Sequence, residues 1–299
     1  MPPTAKRTAP PPTMSVTIPT NANGILARIK PVVNDASGML MSLYGPPKSG
    51  KTRFACTFPK PLLIIGTEDG TKSIMGIAGV DFVKLNKCEE VMELVNSGFL
   101  TNYKTVVLDN GTGFRDMRIK EILKLDTLPV QKGWGFASRS EWGECSMSIK
   151  KMLAPLLQLG KDRVLNVVCI AQEADLNSRD EGGSSQDNDL IKPRIGPALG
   201  KSVCDWLNAE CDYIGQLVVR HGTRESQVQA IKDGPVSTIK ERTGMIEYSL
   251  RVKPNGVHDC GFRVSLGVKI KDEFLNLTDT TDGYERLVKL ILGEGGGET

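Results

Sequence analysis

At 299 residues, 39% hydrophobic and 24% charged, the chain has the bulk for one large α/β domain or a core with a small appendage, and its usage argues against wholesale disorder. A net charge of +3 and a pI near 8.4 fall short of an overt nucleic-acid footprint and leave room only for a local basic patch. Seven cysteines with no C-x-x-C pair, beside two histidines, argue against a zinc centre and for reduced, mostly buried thiols.

The opening MPPTAKRTAPPPT has no apolar signal-peptide core. No later run approaches the roughly 18 apolar residues of a membrane span. Together these point to a cytoplasmic protein with no membrane partner. Residues 1–20 read as a Pro/Thr-rich disordered tail, and 294–299 as a second flexible tail.

Between the tails, strands and helices alternate. The predicted strands are MLMSLY (39–44), PLLIIG (61–66), DFVKL (81–85), TVVLD (105–109) and RVLNVVCIA (163–171). Unbroken apolar runs bounded by turns fit strands buried on both faces, and the helical segments between them imply a parallel sheet with right-handed crossovers. CEEVMELVNSGF reads as one such helix. Met147, Met152, Leu153, Leu156 and Leu157 form the expected apolar face of another. After residue 173 a polar, Gly-rich stretch without periodicity reads as a long functional loop. A helix is expected to resume near Ala198, with Leu199, Val203, Trp206 and Leu207 on one face. YIGQLVV (213–219) reads as a further strand, MIEYSLRV (245–252) and GFRVSLGV (261–268) as an antiparallel pair around KPNG, and Tyr284 to Leu292 as a last helix.

The motif that carries chemistry is GPPKSGKT, made of Gly45, Pro46, Pro47, Lys48, Ser49, Gly50, Lys51 and Thr52. It satisfies G-x-x-x-x-G-K-[ST] between a strand and a helix, the context of a P-loop. The glycines let backbone N–H groups face phosphate oxygens, and the helix start favours the anion. Lys51 is expected to reach the β- and γ-phosphates of ATP, and the Thr52 hydroxyl to hold Mg²⁺. Asp109, closing TVVLD, fits the acidic residue that holds Mg²⁺ from the end of a buried strand. Asn110 follows it, so a water-activating glutamate is not next in sequence. Glu68, just past the second strand, is the candidate general base; Asp69 beside it reads as a solvated turn residue. Gln172, closing VVCIAQ, stands where ligands lie at the carboxyl ends of parallel strands, placed to sense the γ-phosphate. Lys192, Arg194 and Lys201 flank the long loop as candidate contacts to the phosphates of a nucleic acid or of a nucleotide in a neighbouring subunit. Aromatics at 5% advertise no base-stacking platform.

In LYGPPKSGKTRFACTFPKPLLIIGTEDG, YKTVVLDNGTGFRD and VVCIAQEAD, the chain resembles the phage-type nucleotide-binding ATPases related to RecA, some of which act as single-strand annealing recombinase cores. The likeness covers roughly residues 38–270, with weaker echoes in IGPALGKSVCDWLNAECDYIGQL and in the strands from about 245 to 268. It implies a RecA-like P-loop NTPase core with a mostly parallel central sheet flanked by helices, followed by C-terminal antiparallel strands. The ATPase domain would span 21–293, with its core at about 38–220 and a C-terminal hairpin and helix at about 240–293. It also implies ATP and Mg²⁺ as cofactors, and the family's nucleotide roles for Lys51, Thr52, Glu68, Asp109 and Gln172. The implied partners are single-stranded DNA, further copies of the chain in a ring or filament, and a single-strand binding protein. A hexameric helicase or loader, a small-molecule kinase and a non-catalytic nucleotide switch share the P-loop and stay open. The few arginines in 173–194 weigh against a kinase lid.

Overall fold

The computed structural model describes residues 38–70, 72, 74–128, 137–177, 193–229, 236–277 and 282–294; over 221–229 and 236–245 it describes the backbone alone. The 1–20 tail, residues 295–299 of the second tail and most of the long polar loop, including Lys192, lie outside the described residues.

Strands β1 (Leu40–Gly45), β2 (Leu62–Gly66), β3 (Val80–Lys84), β4 (Thr105–Asp109) and β5 (Asn166–Asp175) are followed by β6 (Ile195–Pro197), β7 (Tyr213–Gln229), β8 (Val236–Arg251), β9 (Gly261–Phe262) and β10 (Phe274–Leu277). The sheet runs β10-β8-β7-β1-β5-β4-β2-β3, with β6 paired to β5 and β9 to β7. From β7 to β3 all neighbours are parallel; β8 and β10 add antiparallel pairs at the other edge. This is the mixed α/β architecture of a P-loop NTPase.

Strand alternation divides each apolar run between two layers. Leu40 and Tyr44, Leu63 and Ile65, Val106 and Leu108, and Val167 and Cys169 face one side. That side is covered by helices α2 (Glu90–Asn96), α3 (Gly111–Leu123), α4 (Arg139–Lys161) and α5 (Lys201–Glu210). Met41 and Leu43, Leu62 and Ile64, Val107, and Val168 and Ile170 face the other, against Phe54 and Phe58 near α1 (Lys51–Ala55) and Leu287 and Ile291 of α6 (Gly283–Leu292). Runs that read as unbroken apolar are thus two interleaved faces, each buried. Among the described residues, no helix is long and apolar enough to cross a membrane. All seven cysteines are free, with Cys260 half-buried and the other six buried.

Three expectations change, and one helix proves short. Met147 is 73% exposed, and Cys145, Ile149, Met152, Leu153, Leu156 and Leu157 bury instead. At about 100° per residue Met147 stands roughly 140° away from Met152, on the far side of α4. Strand β5 does not stop at Ala171 but runs on to Asp175, because Glu173–Asp175 pair with Ile195–Pro197. The strands around KPNG do not pair with each other. β8 pairs with β7 and β10, while Phe262 joins β7 opposite Tyr213. After the turn the chain is drawn to Ile195, whose N–H donates to Val257 O and whose carbonyl accepts from Asp259 N. Finally, α1 is only five residues long. Pro59 and Pro61 follow in TFPKP, and the residue before a proline is biased away from helix.

Candidate nucleotide site

The P-loop leaves β1 at Gly45. A Cβ there would stand 2.2 Å from the Leu217 carbonyl oxygen of β7, so the sheet admits only glycine at this exit. Lys48 (φ 62°) and Gly50 (φ 87°) then take left-handed backbone, curling the loop. Pro47 and Lys48 are exposed at its crest, and Ser49 is buried beneath. The Lys51 ammonium sits inside the curl, donating to Gly45 O at 2.9 Å and Pro46 O at 2.7 Å and lying 3.4 Å from Ser49 Oγ. Lys51 is 9% exposed. Burial lowers its pKa, against the pull of Asp109 and Glu173.

Thr52, one residue on, donates its hydroxyl to Asp109 Oδ2 at 2.6 Å. Burial holds the Asp109 carboxyl above the usual carboxylate range; the Thr52 hydrogen bond and Lys51 oppose the shift, and Glu68 adds to it. Glu68 reaches this neighbourhood because β2 and β4 are parallel neighbours in register at Gly66 and Asp109. Thr67 N donates to Asp109 O, and the exposed Glu68 follows. Thr52, Glu68, Asp109 and Asn110 line one cleft of about 190 Å³, with Ile64, Ile74 and Phe82 as its apolar wall.

Asn110 has its own work. Its backbone is extended and its Oδ1 accepts from Gly113 N at 2.5 Å, capping α3. A short acceptor at this position satisfies an otherwise orphaned helix N–H. The carboxylate that shares the cleft with Asp109 is therefore Glu68, not the next residue in sequence.

Strand β5 lies between the P-loop strand and the Asp109 strand, with Gln172 opposite Gly45 and Ile170 opposite Asp109. The Gln172 side chain is exposed. Its N–H donates to Thr112 Oγ1 at 3.1 Å and its carbonyl accepts from Ala198. The topology thus brings Gly45, Lys51, Thr52, Glu68, Asp109 and Gln172 to one end of the sheet. Thr52 and Asp109 offer a hydroxyl and a carboxylate, hard oxygen donors that suit Mg²⁺. Among the described residues no group of three or more His, Cys, Asp or Glu could hold a metal alone.

The cations expected to meet nucleic acid fare differently. Lys201 is exposed at the start of α5. Arg194 is committed inside the fold. Its Nε and Nη2 donate to the two Asp259 oxygens at 2.8 and 2.7 Å, and its Nη1 lies 2.7 Å from Asp205 Oδ1. The guanidinium thus ties the start of β6 to α5 and to the Asp259 segment, and its two carboxylate partners offset its charge.

Sequence reasoning passed over Glu173, Gln216 and Arg251, which line up beside the P-loop. Gln216 Nε2 donates to Glu173 Oε2 and Arg251 Nε to Gln216 Oε1, both at 2.9 Å. The available signal was a lone amide inside the apolar run YIGQLVV. Tyr248 of β8 was also missed; its ring lies 3.3 Å from where a Gly50 Cβ would be.

Comparison with curated proteins finds no match. A family model described as AAA domain matches residues 37–249, which take in the P-loop, Glu68, Asp109 and Gln172. With that match covering most of its length, the chain belongs to the AAA domain family of P-loop NTPases.

Proposed function

We propose that this chain is a Mg²⁺-dependent ATPase with a RecA-like core that acts on single-stranded DNA, in recombination or annealing of the phage type. AAA membership itself points to nucleotide-binding ATPase activity. The observation that supports Mg²⁺-dependent hydrolysis is the convergence of Thr52, Asp109 and Glu68 on one cleft beside the P-loop. The P-loop N–H groups and Lys51 bind and orient the phosphates. Mg²⁺ held by Thr52 and Asp109 would supply neutralisation of phosphate charge. Glu68 takes a proton from the attacking water as its oxygen bonds to the γ-phosphorus. The bond from that phosphorus to the β,γ-bridging oxygen breaks, ADP departs, and Glu68 returns the proton to solvent. Support for the DNA substrate is the resemblance described above together with the exposed Lys201.

The test is steady-state ATP turnover with and without single-stranded DNA, with Lys51→Ala as the site control. DNA-stimulated release of phosphate that disappears in Lys51→Ala is expected. Nucleotide binding without turnover would leave a switch protein.

One observation favours a second reading, a small-molecule kinase. The cleft continues from Asp109 onto the apolar wall of Ile64, Ile74 and Phe82, where an acceptor could lie. Consumption of ATP without release of inorganic phosphate would favour it.

A further inference from the structure

A row of side chains crosses the carboxyl edge of the sheet. Ala171 of β5, Tyr44 of β1, Gln216 of β7, Arg251 of β8 and Phe274 of β10 are successive partners in register. Glu173 lies two residues past Ala171, on the same face by strand alternation. From there it spans the exit of the P-loop strand to meet Gln216 at 2.9 Å, and Gln216 in turn meets Arg251 at 2.9 Å. Arg251 also pairs with Glu273 and lies over the Phe274 ring. Gln216 is 4% exposed and Arg251 8% exposed.

The polarity of this row is forced. A guanidinium only donates and a carboxylate only accepts, so the residue between them must accept on one side and donate on the other. A side-chain amide with its oxygen toward Arg251 and its nitrogen toward Glu173 meets both demands. Glu173 also acts electrostatically on the Lys51 ammonium. That ammonium already rests on the Gly45 and Pro46 carbonyls and must turn to phosphate when nucleotide arrives. A carboxylate released beside it would compete with the phosphates.

We propose that Gln216, anchored by Arg251, is a positioning residue that holds the Glu173 carboxylate away from Lys51 and so keeps the ammonium available to the triphosphate. The idea rests on the nucleotide reading above. The Gln216–Arg251 bond joins the two strands of the β7–β8 hairpin, so the device ties the roots of those strands to the phosphate end of the P-loop.

The test compares ATP-analogue affinity at about pH 8 in wild type, Gln216→Leu, Gln216→Glu, Glu173→Gln and the double variants Gln216→Leu/Glu173→Gln and Gln216→Glu/Glu173→Gln. Circular dichroism and thermal melts report folding. Gln216→Glu is the safeguard, since it keeps a partner for Arg251 while setting two carboxylates against each other. Both Gln216 variants are expected to bind nucleotide roughly tenfold more weakly. The KM for ATP should rise more than kcat falls, because the loss is in binding the phosphates. Replacing Glu173 with glutamine should restore affinity in both backgrounds, which a purely structural role for Gln216 does not predict. Wild-type affinity in folded Gln216→Glu, or a double variant as weak as its folded parent, overturns the proposal. Failure of the wild-type chain to bind nucleotide would instead overturn the reading beneath it.

Discussion

The Thr52 hydroxyl donates to the Asp109 carboxylate at 2.6 Å, and both residues line the cleft. Burial raises the Asp109 pKa, so the folded chain ionises this carboxyl less readily than the unfolded chain does. The sign for stability follows: that carboxyl contributes most below its unfolded pKa and loses the contribution as pH rises through the raised folded value. Mg²⁺ needs the ionised form, so proton and ion compete. We therefore expect Mg²⁺–nucleotide to raise the melting temperature more at about pH 8 than at about pH 5. Thr52→Val removes both the hydrogen bond that favours the carboxylate and a Mg²⁺ ligand, so the response should weaken at every pH and what remains of it should move to higher pH. Calorimetric Mg²⁺ titrations across the range check this, and a pH-independent response would remove Asp109 from the metal site. For Glu68, the exposed carboxylate of the same cleft, Glu68→Gln is expected to keep ATP affinity and slow turnover by about 10²- to 10⁴-fold. Unchanged turnover would make it a turn residue. The residues of this cleft could be named from the sequence because the P-loop is a local motif and Asp109 and Glu68 close or follow apolar strand runs. The row of Glu173, Gln216 and Arg251 could not, because its spacing of 43 and 35 residues has no meaning until the strand order is known.

At the scale of elements, the parallel half of the sheet could be read from its apolar runs, and α5 and α6 from their periodicity. The C-terminal antiparallel strands were also visible in part, but which strands pair was not. A hairpin whose strands extend past the sheet loses the apolar signal in its outer part, so only the roots, 213–219 and 245–252, were visible. The pairing of 261–262 with β7 depends on the distant contact of Val257 and Asp259 with Ile195, which has no local signature. Conversely, Asn110 read only as a missing glutamate, and its capping role emerges once α3 is seen to begin at Gly111. Removing that cap in Asn110→Ala should cost about 1 kcal/mol of stability, and Asn110→Asp, which keeps an acceptor, should recover most of it. Chemical denaturation of the three proteins checks this. An alanine variant as stable as wild type would mean that the Gly113 N–H finds another acceptor or water.

For the whole molecule the question is how a chain of net charge +3 could hold a polyanion. Bulk field does not suffice, so on the proposed reading phosphate contacts would be gathered locally and repeated across subunits. The structure sharpens this, because Arg194 is already paired with Asp259 and Asp205. That leaves Lys201 as the described member of the expected set that faces solvent. A single subunit then offers little, while several subunits on one strand gain avidity without new chemistry. Nucleotide has a route to such assembly. The roots of β7 and β8 touch the P-loop through Leu217 at Gly45 and Tyr248 at Gly50, and their backbones stay paired out to Gln229 and Val236. Among the described residues no third strand joins that outer stretch, and two-stranded ribbons are marginal alone in water. We expect single-stranded DNA to bind weakly without nucleotide and more tightly with an ATP analogue, as subunits associate and the hairpin amides gain protection from hydrogen exchange. Affinity should fall steeply with salt, since each neutralised phosphate releases counterions. Lys201→Ala should lessen that salt slope, whereas Arg194→Ala should chiefly lower stability. Fluorescence anisotropy on labelled single strands at two salt concentrations, with and without analogue and alongside light scattering, decides the matter. A protein that stays monomeric with the analogue and binds no DNA would leave the kinase or switch readings ahead.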